Sequence, residues 1–95
     1  MEFLVHIQVN WPVDIAQDEQ QRLLAEEGAR ARELGTEGRI KRLWRIPGRT
    51  ANYGLWDAPD ATTLHTAISS LPLFRYLDVE VMPLAQHPND PEVWK

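Results

Sequence analysis

Hydrophobic and polar residues alternate near the N-terminus, which predicts a strand over residues 2–10 with one buried face. The residues of that face are Phe3, Val5, Ile7 and Val9. Trp11-Pro12 ends the alternation. From Ala16 to Leu34 the residues are strong helix formers with apolar side chains every three or four positions, so a long amphipathic helix should follow.

Two further strands should form a hairpin after this helix. The second strand is predicted from Arg39 to Ile46, and the third spans residues 50–57. Pro47-Gly48 between them is a typical turn, and it is short enough to make the two strands antiparallel neighbours.

The last part of the chain predicts a second helix and a fourth strand. Asp60 is placed to be the N-cap of the helix, which carries an apolar stripe as far as Pro72. Alternation resumes at Leu77 and continues to Met82, and the tail from Pro83 to Lys95 should be irregular.

The predicted order is strand, helix, strand, strand, helix, strand, which is the ferredoxin-like arrangement of an α+β domain. We expect one domain over residues 1–95, with a four-stranded antiparallel sheet and both helices on one face, as in dimeric α+β barrels. Its other face stays uncovered unless a partner covers it. Because so short a chain has little core of its own, self-association is expected.

Composition and charge narrow the function classes. Fourteen acidic against ten basic residues give a net charge of −4, the wrong sign for a general nucleic-acid binder. The absence of Cys excludes disulfides, thiolate nucleophiles and sulfur-ligated metals. The N-terminal residues lack the basic region and continuous apolar segment of a signal peptide or membrane anchor, so we expect a cytoplasmic protein that does not bind membranes.

Glu27 stands out because it lies on the apolar stripe of the first helix, three residues after Leu24 and seven before Leu34. Burial there would raise its pKa toward neutrality, as suits a carboxyl group that takes up and returns a proton. The alternative is a structural ion pair with a basic residue of the sheet. Glu26 has arginines four residues away on both sides and is predicted to form exposed ion pairs.

Half of the basic residues fall between positions 39 and 49. In a regular strand Arg42 would share the apolar face with Ile40 and Trp44, an unusual place for an arginine. Its guanidinium group could bind an anionic group of a substrate or neutralise Glu27 across the core. Four polar or aromatic residues are further candidates for lining a site, although each alone suits packing: Asn52, Tyr53, Trp56 and Tyr76.

The three histidines do not indicate a metal site. His6, His65 and His87 lie on separate predicted elements without the spacing of metal ligands. His65 lies beside Leu64 and Ile68 on the second helix, where a packing role is expected.

Several short runs along the chain are more informative together than any single motif. They are Glu37-Gly38, Leu43-Trp44-Arg45-Ile46, Gly48, Ala51-Asn52-Tyr53, Asp57, Leu64-His65, Leu71-Pro72-Leu73-Phe74, Tyr76 and His87-Pro88. With these runs the chain resembles the muconolactone delta-isomerase family over nearly its whole length. The resemblance implies an enzyme of aromatic catabolism that converts muconolactone to 3-oxoadipate enol-lactone without metal or organic cofactor. It also implies dimers assembled into a ring-like homo-oligomer, a decamer in the family.

The resemblance and the residue patterns together suggest a set of roles. Glu27 would move the proton, and Asn52 with the Tyr76 hydroxyl would stabilise the negative charge that develops on the lactone carbonyl. The substrate carboxylate would be held by Arg42 first or by His6, where the family tends to carry a basic residue. Arg45 and Arg49 are the remaining alternatives for this role. Trp44 is predicted to contribute to substrate binding.

Departures from the family pattern surround these positions. Gly28 stands beside Glu27 where we expect Lys, Arg42 where His is common, Arg49-Thr50 where His or Lys precedes Tyr, and Arg75 where Pro is usual. They leave open a relative that acts on a chloro- or methyl-substituted lactone, with loss of chloride in the first case. The other alternative is a ligand-binding module without catalysis. The apolar tail, about residues 84–95, is expected to pack on a neighbouring subunit, the alternative being a frayed end.

Overall fold

Four strands and three helices follow one another in the computed structural model, which describes residues 1–95. They are β1 (Glu2–Val9), α1 (Gln17–Thr36), β2 (Ile40–Arg45), β3 (Ala51–Asp57), α2 (Ala61–Ser69), β4 (Leu77–Leu84) and α3 (Pro91–Trp94). A 3₁₀ turn at Phe74–Tyr76 leads into β4. No helix combines the length and hydropathy that crossing a bilayer requires.

The sheet has the strand order β2-β3-β1-β4, and every neighbouring pair is antiparallel. This order confirms the ferredoxin-like α+β fold. The core lies between one face of the sheet and the two long helices, where side chains from all these layers form one buried cluster. Its members include Phe3, Val5 and Ile7 of β1, Trp56 of β3, Leu34 of α1, and Leu64, Ala67 and Ile68 of α2.

The second helix forms as its sequence predicts. The Asp60 carboxylate accepts a hydrogen bond from the Thr63 backbone N–H at 2.7 Å, which caps the helix. Its apolar stripe is buried, and Leu71 beyond its end joins the same cluster. Helix α1 lacks a side-chain cap at Ala16, but Arg22 forms ion pairs with Glu19 and Glu26 along its exposed surface.

Strand β2 contains an irregularity that reverses which side chains face the helices. Ile40 pairs with Trp56, whereas Arg42 pairs with Leu55, so Lys41 is an extra residue in the ladder. After this bulge, Leu43 and Arg45 face the helices. The expectation that Arg42 shares a face with Ile40 is therefore wrong, because one inserted residue shifts a period-two pattern by one position.

The opposite face of the sheet has no helix on it and is called the open face below. It carries Leu4 and His6 of β1, Arg42 and Trp44 of β2, Tyr53 and Leu55 of β3, and Asp78, Glu80 and Met82 of β4. Trp44, Tyr53 and Met82 are exposed there, so the open face presents a large apolar surface.

The C-terminal tail is more ordered than the sequence suggests. Instead of being wholly irregular, it contains the single turn α3, because Asp90 caps the Glu92 backbone N–H at 3.0 Å and Pro91 starts the helix. The Trp94 indole donates a hydrogen bond to the Asn89 carbonyl at 3.1 Å. All residues from Leu84 to Lys95 are exposed.

Candidate active site

A cavity of about 560 Å³ lies between residues 20–31 of α1 and the helix-facing side of β1, β2 and β3. Hydrophobic residues make up 11 of its 18 lining residues, so charged groups inside it are poorly solvated. The polar and charged lining residues are Gln20, Glu27, Arg45, Arg49, Thr50 and Asn52. A predominantly apolar cavity with a few convergent polar groups is typical of a small-molecule site.

Glu27 projects from α1 into this cavity and is half-buried. Its Oε1 atom accepts a hydrogen bond from the Leu73 backbone N–H at 3.0 Å, which fixes the orientation of the carboxylate. Burial raises the pKa of Glu27 above its ordinary value, although the bond from Leu73 works in the opposite direction. The direction of the shift is the one predicted from the helical stripe.

The structural alternative for Glu27 does not occur in this chain. No cation contributes to the pKa of Glu27, and its only hydrogen bond comes from Leu73. The neighbouring Glu26, in contrast, is exposed and pairs with Arg22 at 2.7 Å, as predicted, whereas Arg30 contacts Glu33 and Glu37 instead. The two adjacent carboxylates therefore differ in solvation and partners.

Asn52 lies on the opposite wall of the cavity from α1. Its place in β3, opposite Ile7 of β1 and Arg45 of β2, directs it to the helix-facing side of the sheet. The Asn52 Oδ1 atom is buried and has no hydrogen-bond partner. A buried polar atom left unpaired costs about 1–3 kcal/mol, so this amide is poised to interact with a bound molecule or water.

Three predicted substrate-binding residues, His6, Arg42 and Trp44, lie on the open face and do not line the cavity of their own chain. The Arg42 guanidinium stacks on the Trp44 ring, 4.8 Å from its centroid, and the His6 ring lies 5.1 Å from that of Tyr53. Arg42 and Trp44 lie on the open face because the bulge at Lys41 shifts the rest of β2 by one residue.

Tyr76, the other predicted donor, also lies outside the lining. Its ring is 5.8 Å from the ring of Trp11, which does line the cavity, so Tyr76 stands behind a wall residue.

The sequence patterns missed Gln20 and Trp11 as lining residues, and they ranked Arg45 and Arg49 behind Arg42. A signal for Arg45 was present in the spacing of Ile40 and Leu43, because two inward apolar residues three positions apart in one strand indicate a bulge. Arg49 is placed by the hairpin turn, in which Gly48 has a φ of 79° after Pro47, as a type II turn requires.

Metal-ligating side chains do not converge anywhere in the chain: no three His, Cys, Asp or Glu residues are arranged to hold an ion. His65 is exposed on α2 with its ring edge-on to Phe74, and His87 accepts a hydrogen bond from the Asn89 backbone N–H. Neither lies near Glu27.

Comparison with known proteins gives consistent results. A family model described as muconolactone delta-isomerase matches residues 1–90. Muconolactone delta-isomerase of Pseudomonas aeruginosa is 44% identical over 89 residues, covering 94% of this chain and 93% of the relative. That of Cupriavidus pinatubonensis is 40% identical and covers 94% and 97%.

A solved structure of muconolactone isomerase superposes on this chain with a TM-score of 0.89 at 41% identity, covering 96% of this chain and 95% of the other. Fold, length and sequence thus agree over nearly the whole chain. The chain belongs to the muconolactone delta-isomerase family.

Proposed function

We propose that this protein is a cytoplasmic, cofactor-independent muconolactone delta-isomerase that moves the ring double bond of the lactone during aromatic catabolism. The observation that carries the proposal is Glu27, a carboxyl group with a raised pKa and no cationic partner in a mainly apolar cavity. The names of the family and of its relatives supply the reaction.

The reaction is a 1,3-proton shift that one carboxylate can perform. The Glu27 carboxylate removes the proton from the ring carbon γ to the lactone carbonyl, and the electron pair spreads through the double bond onto the carbonyl oxygen. The protonated Glu27 then returns the proton to the α carbon, leaving the double bond between the β and γ carbons. A raised pKa suits both steps, because the group must accept and donate a proton near neutral pH.

The dienolate places negative charge on the lactone carbonyl oxygen, which needs a hydrogen-bond donor. Asn52 is the donor we assign, since its side chain lines the cavity and its Nδ2 amide group can donate to that oxygen. The Tyr76 hydroxyl, a second candidate by sequence, would have to act from behind Trp11.

The direct test is incubation of the purified chain with muconolactone, followed by ultraviolet absorbance and by NMR identification of the product. We expect conversion to 3-oxoadipate enol-lactone without added metal or cofactor. Binding of muconolactone without conversion would instead support the ligand-binding module, and neither binding nor conversion would reject the family's substrate for this chain.

A substituted lactone is a second candidate substrate because of Gly28, which lines the cavity one residue after Glu27. A Cβ atom built at Gly28 meets only Arg32 Nη1, at 3.7 Å, so a ring substituent has room there. Chloro- and methyl-muconolactone should therefore be compared with the parent lactone by kcat/KM, with chloride release measured for the former.

We also propose that the chain works as a homo-oligomer built from dimers, ring-like as the family resemblance implies. The open face is apolar and carries opposite charges at its two edges, Arg42 on β2 and Glu80 on β4, neither in an ion pair. Two copies related by a twofold axis parallel to the strands would bring β2 of each copy over β4 of the other, with Arg42 two residues along the strand direction from the level of Glu80. The face is thus complementary to itself.

Exposed apolar residues at the mouth of the cavity and in the tail also favour association with another copy of the chain. Leu24 and Leu43 line the cavity yet are 49% and 47% exposed, so its mouth is apolar and open. Trp94 is 67% exposed in the tail. The radius of gyration of 14.9 Å exceeds the value of about 12 Å typical of a compact chain of this length. We propose that the tail packs on a neighbouring subunit.

A further inference from the structure

We propose that Arg45 and Arg49 together hold the carboxylate of the substrate, at the β2–β3 hairpin end of the cavity. This inference rests on the proposed function, because it assigns the anionic end of the lactone to residues of the same site. It replaces the sequence-based assignment of that role to Arg42 or His6, both of which lie on the open face.

Two local features of the chain bring these arginines into the cavity. The bulge at Lys41 turns Arg45 to the helix-facing side of β2, opposite Asn52 of β3. The Pro47-Gly48 turn, closed by a hydrogen bond from the Arg49 backbone N–H to the Ile46 carbonyl at 3.2 Å, returns Arg49 to the same end of the cavity. The connection between β2 and β3, residues 46–50, thus places Arg49 near the end of β2 that carries Arg45.

The charges of these arginines are unbalanced within the chain. Six basic residues form no salt bridge, and of these only Arg45 and Arg49 line the cavity; the others are Arg32, Arg39, Arg42 and Arg75. Arg45 donates only one long hydrogen bond, from Nη1 to the Ala51 carbonyl at 3.5 Å. Both guanidinium groups are therefore free to bind an anion in the cavity.

The lining suits a carboxylate attached to an uncharged ring. A guanidinium group binds a carboxylate through two parallel N–H donors, and the apolar residues of the cavity suit the ring. Glu27 is on the facing wall and forms no salt bridge with either arginine. Anion and base are therefore held at separate places, with Asn52 beside Arg45 in the ladder, where it can reach the lactone carbonyl.

The experiment compares muconolactone with its methyl ester, which lacks the negative charge. Kinetic constants of the native enzyme, Arg45→Met and Arg49→Met are measured for both compounds, and equilibrium binding is measured by calorimetry on a Glu27→Gln background that blocks turnover. We expect each substitution to weaken binding of the acid and raise its KM about 10-fold or more, with little change for the ester. Arg75→Met is the matched control, because Arg75 is exposed and outside the cavity.

Variants that lose affinity for acid and ester alike, or that bind the acid like the parent, would overturn the inference. Arg45→Lys and Arg49→Lys keep the charge but not the paired donors, so their affinity for the acid should fall between those of the native and Met variants. They provide the test if either Met variant folds poorly. If the native chain converts neither compound, the proposed function fails, while the calorimetric comparison of acid and ester still decides whether these arginines bind the carboxylate.

Discussion

At the scale of single residues, the environment of a side chain decides its chemistry more than its type does. Glu26 and Glu27 are adjacent on α1, but only Glu27 reaches the cavity. Glu26 is solvated and paired with Arg22, so it has the properties of a surface carboxylate. Glu27 loses solvent, gains only the Leu73 N–H, and so holds its proton more tightly. Helical spacing was sufficient to distinguish the two, because the stripe that carries Glu27 faces the cavity, which Leu24 and Ala31 also line.

Replacing Glu27 by Gln should stabilise the fold at neutral pH. The folded-state pKa of Glu27 lies above its ordinary value of 4.5, so its contribution to stability is present below that value and is lost as pH rises through the folded pKa. Gln is uncharged throughout, and its side-chain carbonyl can still accept the hydrogen bond from Leu73.

Urea unfolding of the native chain and Glu27→Gln at about pH 7 and about pH 4.5 checks this prediction. The variant should have the higher midpoint at pH 7, and the difference should shrink at the lower pH. A native chain that is the more stable of the two at pH 7 would show that ionised Glu27 is well solvated.

At the scale of elements, the sequence predicts which helices and strands form, and in what order, better than it predicts which residues pair between strands. Local patterns predict β1, both long helices and the Asp60 cap. Hydrophobic periodicity and helix capping depend on residues that are close together in the sequence. The bulge at Lys41 depends on pairing with β3, which adjacent residues do not specify, and it moved Arg42, Trp44 and Arg45 to the faces opposite to those expected. Errors in the predicted site come mainly from that one residue.

The close packing of Gly54 in β3 gives a prediction about stability. A Cβ atom there would lie 2.6 Å from Trp56 Nε1 and 2.9 Å from Leu43 Cδ2, so Gly54→Ala must displace a buried indole. We expect it to destabilise the fold by about 1–3 kcal/mol in urea unfolding.

Gly28→Ala is the matched control for that substitution. It adds the same methyl group within a helix, where the nearest atom is 3.7 Å away, and should stabilise the fold by up to about 1 kcal/mol. Equal effects of the two alanines would mean that Gly54 is not sterically constrained.

At the scale of the whole molecule, a single chain leaves many large apolar side chains exposed outside its core. Only 13 of 95 residues are buried, while Trp44, Tyr53 and Met82 remain exposed on the open face. The helices cover one side of the sheet, and nothing in a single chain covers the other. Self-association follows from this imbalance and from the opposite charges at the two edges of the sheet.

A charge exchange tests the proposed dimer. Arg42→Glu places a negative charge on β2 facing the acidic β4 of the other copy, and should shift the mass measured by light scattering toward smaller species at low micromolar concentration. Adding Glu80→Arg should restore the larger species, and the exposed Arg75→Glu should change nothing. A native mass of 11.0 kDa, or an assembly indifferent to Arg42→Glu, would rule out this interface.

Removal of the tail tests the second contact. Deleting the chain from Asn89 onward removes α3 and Trp94, which contribute nothing to the buried cluster of their own chain. We expect smaller assemblies and lower turnover with an unchanged circular dichroism spectrum. If mass and turnover both stay as in the full chain, the tail has no role in assembly.

The most direct measurement of the central claim is turnover of muconolactone by Glu27→Gln and Glu26→Gln side by side. The two substitutions remove the same charge from neighbouring positions on one helix, but only the first removes the proposed base. We predict that Glu27→Gln lowers kcat by about 100-fold or more while remaining folded, and that Glu26→Gln stays within about twofold of the native enzyme. Near-native turnover by a folded Glu27→Gln protein would contradict the account.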